Sequence, residues 1–110
     1  MIEKTTKFIL LYDFYQDLLT EKQKQFAELY FQDDLSLGEI AEEFGISRQG
    51  VYEHIKRAEV LIHGYEEKLL LLAKHEQRLK LFDEMESLLT NEILNNQQLL
   101  EKITLLRRLE

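Results

Sequence analysis

The sequence predicts an all-α protein. Its 110 residues contain no proline and only four glycines, so few positions interrupt a helix. Apolar residues also recur at three- and four-residue spacing along most of the chain, which is the period of a helix with one buried face. The length fits one domain, or one domain with an extension.

The first predicted helix carries aromatic and leucine side chains on one face. The stripe consists of Phe8, Leu11, Tyr12, Tyr15, Leu18 and Leu19. Such a stripe could form a hydrophobic core or a platform on which bases stack. We favour the core, because helical spacing of apolar residues is the usual core pattern.

A second helix is predicted to begin after Thr20, which can form a capping box with Gln23. Its predicted inward residues are Phe26, Leu29 and Tyr30, with Phe31 as a further candidate. Asp33 and Asp34 follow it, and we interpret them as solvated caps because no matching set of oxygen ligands lies nearby.

Two short helices joined by a Gly-Ile-Ser turn come next. Ser36 and Glu39 can form a capping box at the start of the first, and Gly45 can end it. Ser47 can cap the second. The two apolar faces are Leu37, Ile40, Ala41 and Phe44 on the first helix, and Val51, Ile55 and Ala58 on the second. Because stripes joined by so short a turn must cross steeply, the pair predicts a helix-turn-helix.

The outward face of the second helix carries the candidate nucleic-acid contacts. They are Ser47, Arg48, Gln49, Tyr52, Glu53, Lys56 and Arg57. Arg48 and Gln49 lie in the first turn, the part of a recognition helix that meets base edges. Arginine pairs with guanine, glutamine with adenine, and Glu53 could accept from cytosine. The alternative interpretation is an ordinary solvated face.

The net charge of −7 is unfavourable for binding a phosphate backbone. The deficit is uneven, because the segment 21–46 has seven acidic residues against two lysines. The segment 47–58 has three basic residues against Glu53 alone. The recognition helix is therefore the locally basic element, and modest affinity is expected unless two copies bind together.

Six segments together resemble known families. They are Leu11–Gln16, Ser36–Glu43, Ser47–Gln49, Val51–Tyr52, Ile55–Arg57 and Tyr65–Leu72. Residues 20–58 resemble the fourth, promoter-reading region of bacterial sigma factors. The whole chain resembles the YlxM family of small bacterial helix-turn-helix proteins. The resemblance implies DNA binding and transcription regulation. Because genes of that family commonly sit beside genes of the signal recognition particle pathway, it also implies a link to that pathway.

The C-terminal half is unusually rich in leucine. The stretch around Val60, Leu61 and Ile62, and then Leu69–Leu72, is apolar on every side and predicts burial on every side. Thr90 and Asn91 predict a break between a long helix and a last one. The last helix offers Leu99, Leu100, Ile103, Leu106 and Leu109. These leucines need either packing within the chain or a second copy.

The predicted fold is thus a sigma-region-four-like helix-turn-helix domain followed by a long helix and a C-terminal helix. Residues 1–60 are expected to form the DNA-binding domain, of winged-helix-like or sigma type. Residues 61–110 are expected to form a helical extension for packing or dimerisation, and a homodimer through the C-terminal helices is the favoured arrangement.

Several classes of function receive no support from the sequence. Without cysteine there is no disulfide or thiolate metal site, and the histidines lack ligand spacing. No glycine-rich phosphate loop is present, so we expect neither an enzyme nor a cofactor. The charged N-terminus and the short apolar runs predict a cytoplasmic protein without membrane insertion.

Two functions remain as hypotheses. The first is a DNA-binding regulator that reads double-stranded DNA through the helix-turn-helix. The second is a protein- or RNA-interaction module of the signal recognition particle pathway that does not read DNA. The basic recognition helix favours the first, and the acidic remainder of residues 1–60 favours the second.

Overall fold

A computed structural model describes residues 2, 4–90 and 96–109. These residues form six α-helices and one 3-10 turn, and none of them lies in a β-strand. The helices are α1 (Thr6–Tyr15), α2 (Glu21–Phe31), α3 (Leu37–Phe44), α4 (Arg48–Leu69), α5 (Leu71–Thr90) and α6 (Asn96–Arg108), with the 3-10 turn over Gln16–Leu18. The all-α prediction is confirmed.

Residues 1–70 form one compact unit, unit 1, and residues 71–110 form a second, unit 2. The sequence placed this division after residue 60. The structure places it after Leu70, because α4 runs without interruption past residue 60 and Ile62 is fully buried in unit 1. Tyr15 adds a reason, since its hydroxyl donates to Glu66 at 2.6 Å and ties the end of α4 to α1.

The core of unit 1 is built where α1, α2 and α3 pack against α4. Its buried apolar side chains include Phe8, Leu11, Tyr12, Tyr15, Phe26, Ala27, Phe31, Ile40, Ala41, Val51, Ile55, Ala58 and Ile62. The predicted core stripe of α1 is correct except at Leu18, which is 53% exposed. The α-helical spacing ends at Tyr15, whose φ of −114° and ψ of 0° are not helical, and a 3-10 turn follows over Gln16–Leu18. The stripe of α1 therefore no longer defines the direction of Leu18.

The end of α4 is set by Leu70. Leu70 adopts a left-handed conformation with φ of 57°, and its amide donates to the Glu66 carbonyl at 2.9 Å. Such a residue closes a helix, although glycine is the usual choice because a side chain is strained there. The long helix predicted after residue 60 is therefore the end of α4 followed by a separate α5.

Unit 2 consists of α5 packed against α6. Lys102 of α6 forms a salt bridge with Glu84 of α5. The Arg78 guanidinium donates to the Leu109 carbonyl at 3.3 Å. Asn91 and the expected restart after it lie outside the described residues.

The prediction of burial for Leu69–Leu72 is wrong for three of the four leucines. Leu69 is 45%, Leu70 46% and Leu71 38% exposed, whereas Leu72 is buried. Val60 and Leu61 are also exposed. Within the described segments, no helix has both the length and the apolar content needed to cross a membrane.

Candidate nucleic-acid interface

The turn between α3 and α4 has the predicted helix-turn-helix construction. Ser36 accepts from the Glu39 amide at 3.1 Å while the Glu39 carboxylate accepts from the Ser36 amide at 3.1 Å. Gly45 ends α3 with a left-handed φ of 65°. The Ser47 hydroxyl then accepts from the Gly50 amide at 3.0 Å and starts α4. The capping groups thus fix both ends of the turn, as the sequence predicted.

Gly50 sits close to this cap. A Cβ at Gly50 would meet the Ser47 hydroxyl oxygen at 3.2 Å and the Ile46 side chain at 3.8 Å. The nearest atom therefore belongs to the helix's own cap. Gly50 gives room for the Ser47 bond that starts the recognition helix.

The inward face of α4 holds the recognition helix firmly in unit 1. Val51, Ile55 and Ala58, the predicted inward set, are each fully buried, and so is Ile62 one turn further on. Phe26 of α2 packs against this side of α4. Its ring centroid lies 4.9 Å from that of Phe44 and 5.0 Å from that of His54. Because burial fixes the rotation of α4 about its axis, it also fixes which residues point to solvent.

Each predicted contact residue lies outside the core. Ser47, Arg48, Gln49, Glu53 and Arg57 are exposed, and Tyr52 and Lys56 are half-buried. Arg48 and Gln49 stand in the first turn of α4. Arg57 stands nine residues further on, about 14 Å along the helix axis at ~1.5 Å per residue. This spacing is close to the width of the DNA major groove, about 12 Å, so the two exposed arginines could reach phosphates on its two sides.

Lys56 differs from the arginines because it has an acidic partner on its own helix. Its ammonium donates to Glu59 at 2.6 Å, across one helical turn. The Lys56 side chain is 39% exposed and that of Glu59 only 7%. A buried carboxylate needs a cation or hydrogen-bond donors close by. The Lys56 side chain therefore contributes to the stability of the fold through its ion pair with Glu59.

A groove of about 550 Å³ runs along the outer side of α4. It brings together four of the predicted contacts, Tyr52, Glu53, Lys56 and Arg57, with Val60, Leu61 and Gln23 of α2. Ser47 caps α4, and Arg48 and Gln49 lie in its first turn, outside this groove. We call the seven predicted residues together the α4 face: residues 47–49, 52, 53, 56 and 57.

Two residues of this site are not among the predicted contacts. Glu59 lies just beyond the segment 47–58 whose charges were compared, although its three-residue spacing from Lys56 is the spacing of a helical ion pair. Gln23 was predicted only as a cap residue, and its side-chain oxygen does accept from the Thr20 backbone N–H at 3.0 Å. Only the packing of α2 against α4 brings it to the groove.

Unit 1 therefore belongs to the class of helix-turn-helix proteins, with an exposed second helix of mixed charge. The chain as a whole belongs to the family described as "UPF0122: Putative helix-turn-helix protein, YlxM / p13 like", whose model matches residues 2–104. The resemblance to the YlxM family is thus confirmed.

Similar proteins come from bacteria of the genera Listeria and Bacillus. A UPF0122 protein of Listeria innocua is 49% identical over 110 residues, and the match covers 100% of both chains. UPF0122 proteins of Bacillus cereus strain AH187 and Bacillus anthracis strain A0248 are each 47% identical over the same full length. The family and the helical fold point to a binding protein rather than to an enzyme.

Proposed function

We propose that this protein is a DNA-binding regulator of the sigma-region-four-like type, acting in the cytoplasm, and that the α4 face contacts double-stranded DNA. The observation that carries the proposal is the exposure of Arg48, Gln49 and Arg57 on a helix whose opposite side is fully buried. A helix held in this way presents its first turn to base edges. The arginines supply phosphate or guanine contacts, and Gln49 supplies adenine contacts.

The decisive test removes charges that do not support the fold. Arg48 and Arg57 are exposed, whereas truncating Lys56 would leave the Glu59 carboxylate without its lysine and destabilise the helix. We therefore compare the double variant Arg48→Ala/Arg57→Ala with the wild type. Binding to a fluorescein-labelled mixed-sequence duplex is measured by anisotropy between 50 and 200 mM salt, a range chosen because phosphate contacts respond to it strongly.

The expected result is weaker binding and a flatter salt dependence. Each lost phosphate contact should reduce the slope of log K against log salt by ~0.9, so two contacts reduce it by up to ~1.8. The matched control is Lys7→Ala/Lys68→Ala, which removes the same charge from exposed positions of unit 1 outside the α4 face and its groove. An equal loss in both double variants would show a non-specific charge effect and contradict the assignment.

A second function is favoured by one specific observation. Residues 1–70 carry fourteen acidic and eight basic residues, a balance that repels phosphate at long range. The same α4 face would then serve as the docking surface of a protein- or RNA-interaction module of the signal recognition particle pathway. Saturable binding to that particle's RNA or protein components, with no binding to any duplex DNA, would favour this second function.

We further propose that the protein is a homodimer through its C-terminal helices. The exposed leucines of the α4–α5 junction and of unit 2 support this, because a monomer rarely leaves so many large apolar side chains in water. A two-fold dimer would present two α4 faces and so offset the acidic charge of each chain.

A further inference from the structure

Glu59 is the one buried acidic residue among the described residues, and it lies beside the proposed DNA-binding face. It is three residues from Lys56 and two from Arg57, and its side chain is only 7% exposed. Its carboxylate accepts from the Lys56 ammonium at 2.6 Å. The neighbouring α4 face is therefore less basic than the sequence count of three cations against Glu53 indicates.

Glu59 and a phosphate would compete for the charge of Lys56. When Lys56 binds Glu59, its charge is largely compensated and a phosphate gains little from it. When Lys56 turns to a phosphate, the buried Glu59 loses the cation beside it, which is unfavourable in a poorly solvated position. Any phosphate contact by Lys56 must therefore compete with an ion pair that is already formed.

We propose that Glu59 is a positioning residue that holds Lys56 back from nucleic acid and so lowers the affinity of the α4 face. This inference rests on the proposed DNA-binding function and assigns a determinant of its strength. A weakened recognition helix makes binding depend on a second copy or a second contact, because one α4 face by itself then carries mainly the charges of Arg48 and Arg57.

The test is to remove the charge of Glu59 and keep its shape. Glu59→Gln can still accept a hydrogen bond from Lys56 but no longer holds it by charge. We expect tighter binding to a labelled mixed-sequence duplex, with a salt slope steeper by up to ~0.9. One additional phosphate contact corresponds to a gain of up to about eightfold at 0.1 M salt.

A double variant separates this effect from a general change of charge. In Lys56→Gln/Glu59→Gln the gain should disappear, because no lysine remains to reach the phosphate. The matched control is Glu67→Gln, which removes the same charge from an exposed position of the same helix. Glu67 lies eight residues away, about 12 Å along the axis, where salt screens most of its influence. The fold of each variant is checked by circular dichroism and thermal unfolding.

The outcomes separate the two proposals. If Arg48→Ala/Arg57→Ala weakens binding but Glu59→Gln leaves the affinity and the salt slope unchanged, only the role of Glu59 is overturned. The same holds if Glu67→Gln raises the affinity as much as Glu59→Gln does. If neither the wild-type protein nor any variant binds the duplex, the DNA-binding function and the role of Glu59 both fall.

Discussion

At the residue scale, single hydroxyl side chains decide where the helices of unit 1 begin. Each of α1–α4 starts with a serine or threonine whose oxygen accepts from the amide three residues further on. These residues are Thr5, Thr20, Ser36 and Ser47. The last three were predicted from sequence because short polar side chains stood directly before apolar periodic runs. The first role of Ser47 is therefore to cap α4, and any contact that it makes with nucleic acid is additional to that role.

Tyr12 gives a prediction about alkaline pH. Burial, together with the smaller effect of the nearby carboxylates of Glu28, Asp13 and Asp17, raises the pKa of Tyr12 from its usual 10.0 to about 12. Because the folded state holds the phenol proton more tightly, the resulting stability is complete below pH 10 and is lost as the pH rises towards 12. We expect a loss of about 2–3 kcal/mol in the free energy of unfolding over that range.

The measurement is urea unfolding at several pH values between 9 and 12, with Tyr12→Phe as the comparison. The variant lacks the titrating group and the hydrogen bond from Tyr12 to the Lys24 carbonyl, which is long at 3.4 Å. Its free energy of unfolding should therefore fall less steeply with pH, while all other titrations are shared. Identical pH dependence in the two proteins would refute a role for the Tyr12 phenol.

At the element scale, the rotation of α4 could be predicted from sequence whereas the position of its end could not. The rotation of α4 was predicted correctly because three inward residues at helical spacing define one face. The end of α4 was not predicted, since Leu70 gives no local signal for a left-handed conformation. The 3-10 turn after Tyr15 also gives no local signal in the sequence, so neither the turn nor the exposure of Leu18 was predicted.

Two glycines of unit 1 should respond to alanine in opposite ways. Gly64 lies in the interior of α4, and an added Cβ there would meet no atom within 4 Å. Gly64→Ala should raise the free energy of unfolding by up to ~1 kcal/mol, because glycine is a poor helix former. Gly45 also has open space but has a φ of 65°. Gly45→Ala should lower that free energy by about 1–2 kcal/mol through backbone strain.

Urea unfolding followed by circular dichroism measures both variants under one set of conditions. Because the two substitutions add the same methyl group, they control for each other in composition and hydrophobicity. A destabilising Gly64→Ala would reveal a neighbour that the monomer does not show, such as a partner chain against that side of α4. A neutral Gly45→Ala would mean that the turn before α4 relaxes without cost.

At the scale of the whole molecule, the distribution of leucines leads to a prediction about assembly. Unit 2 buries Leu72 and Leu81, whereas Leu79, Phe82, Leu89, Leu100 and Leu105 are 42–63% exposed. Analytical ultracentrifugation of the intact protein over micromolar concentrations should show a dimer. Phe82→Ser/Leu100→Ser should shift it towards monomer, because both substitutions remove apolar area that a partner would bury.

Lys24→Ser/Glu86→Ser is the control, with exposed or half-exposed polar positions and the same number of changes. It should sediment as the wild type does. If the intact protein sediments as a monomer at every concentration, the C-terminal leucines have another role and the dimer is abandoned. DNA binding by that monomer would then depend on a single α4 face.

The sequence by itself determined the helical class, the capped turn between α3 and α4, and the outward set of the α4 face. These features depend on local spacing and on short side-chain bonds, which are encoded within a few residues. Only the tertiary structure decided that α4 extends to Leu69, that Gln23 of α2 borders the groove, and that Leu69–Leu71 face solvent while Leu72 is buried. The reason is that burial is a property of neighbours distant in the chain. The Lys56–Glu59 pair combines both scales: its spacing is visible in the sequence, but the 7% exposure of Glu59 comes from packing alone.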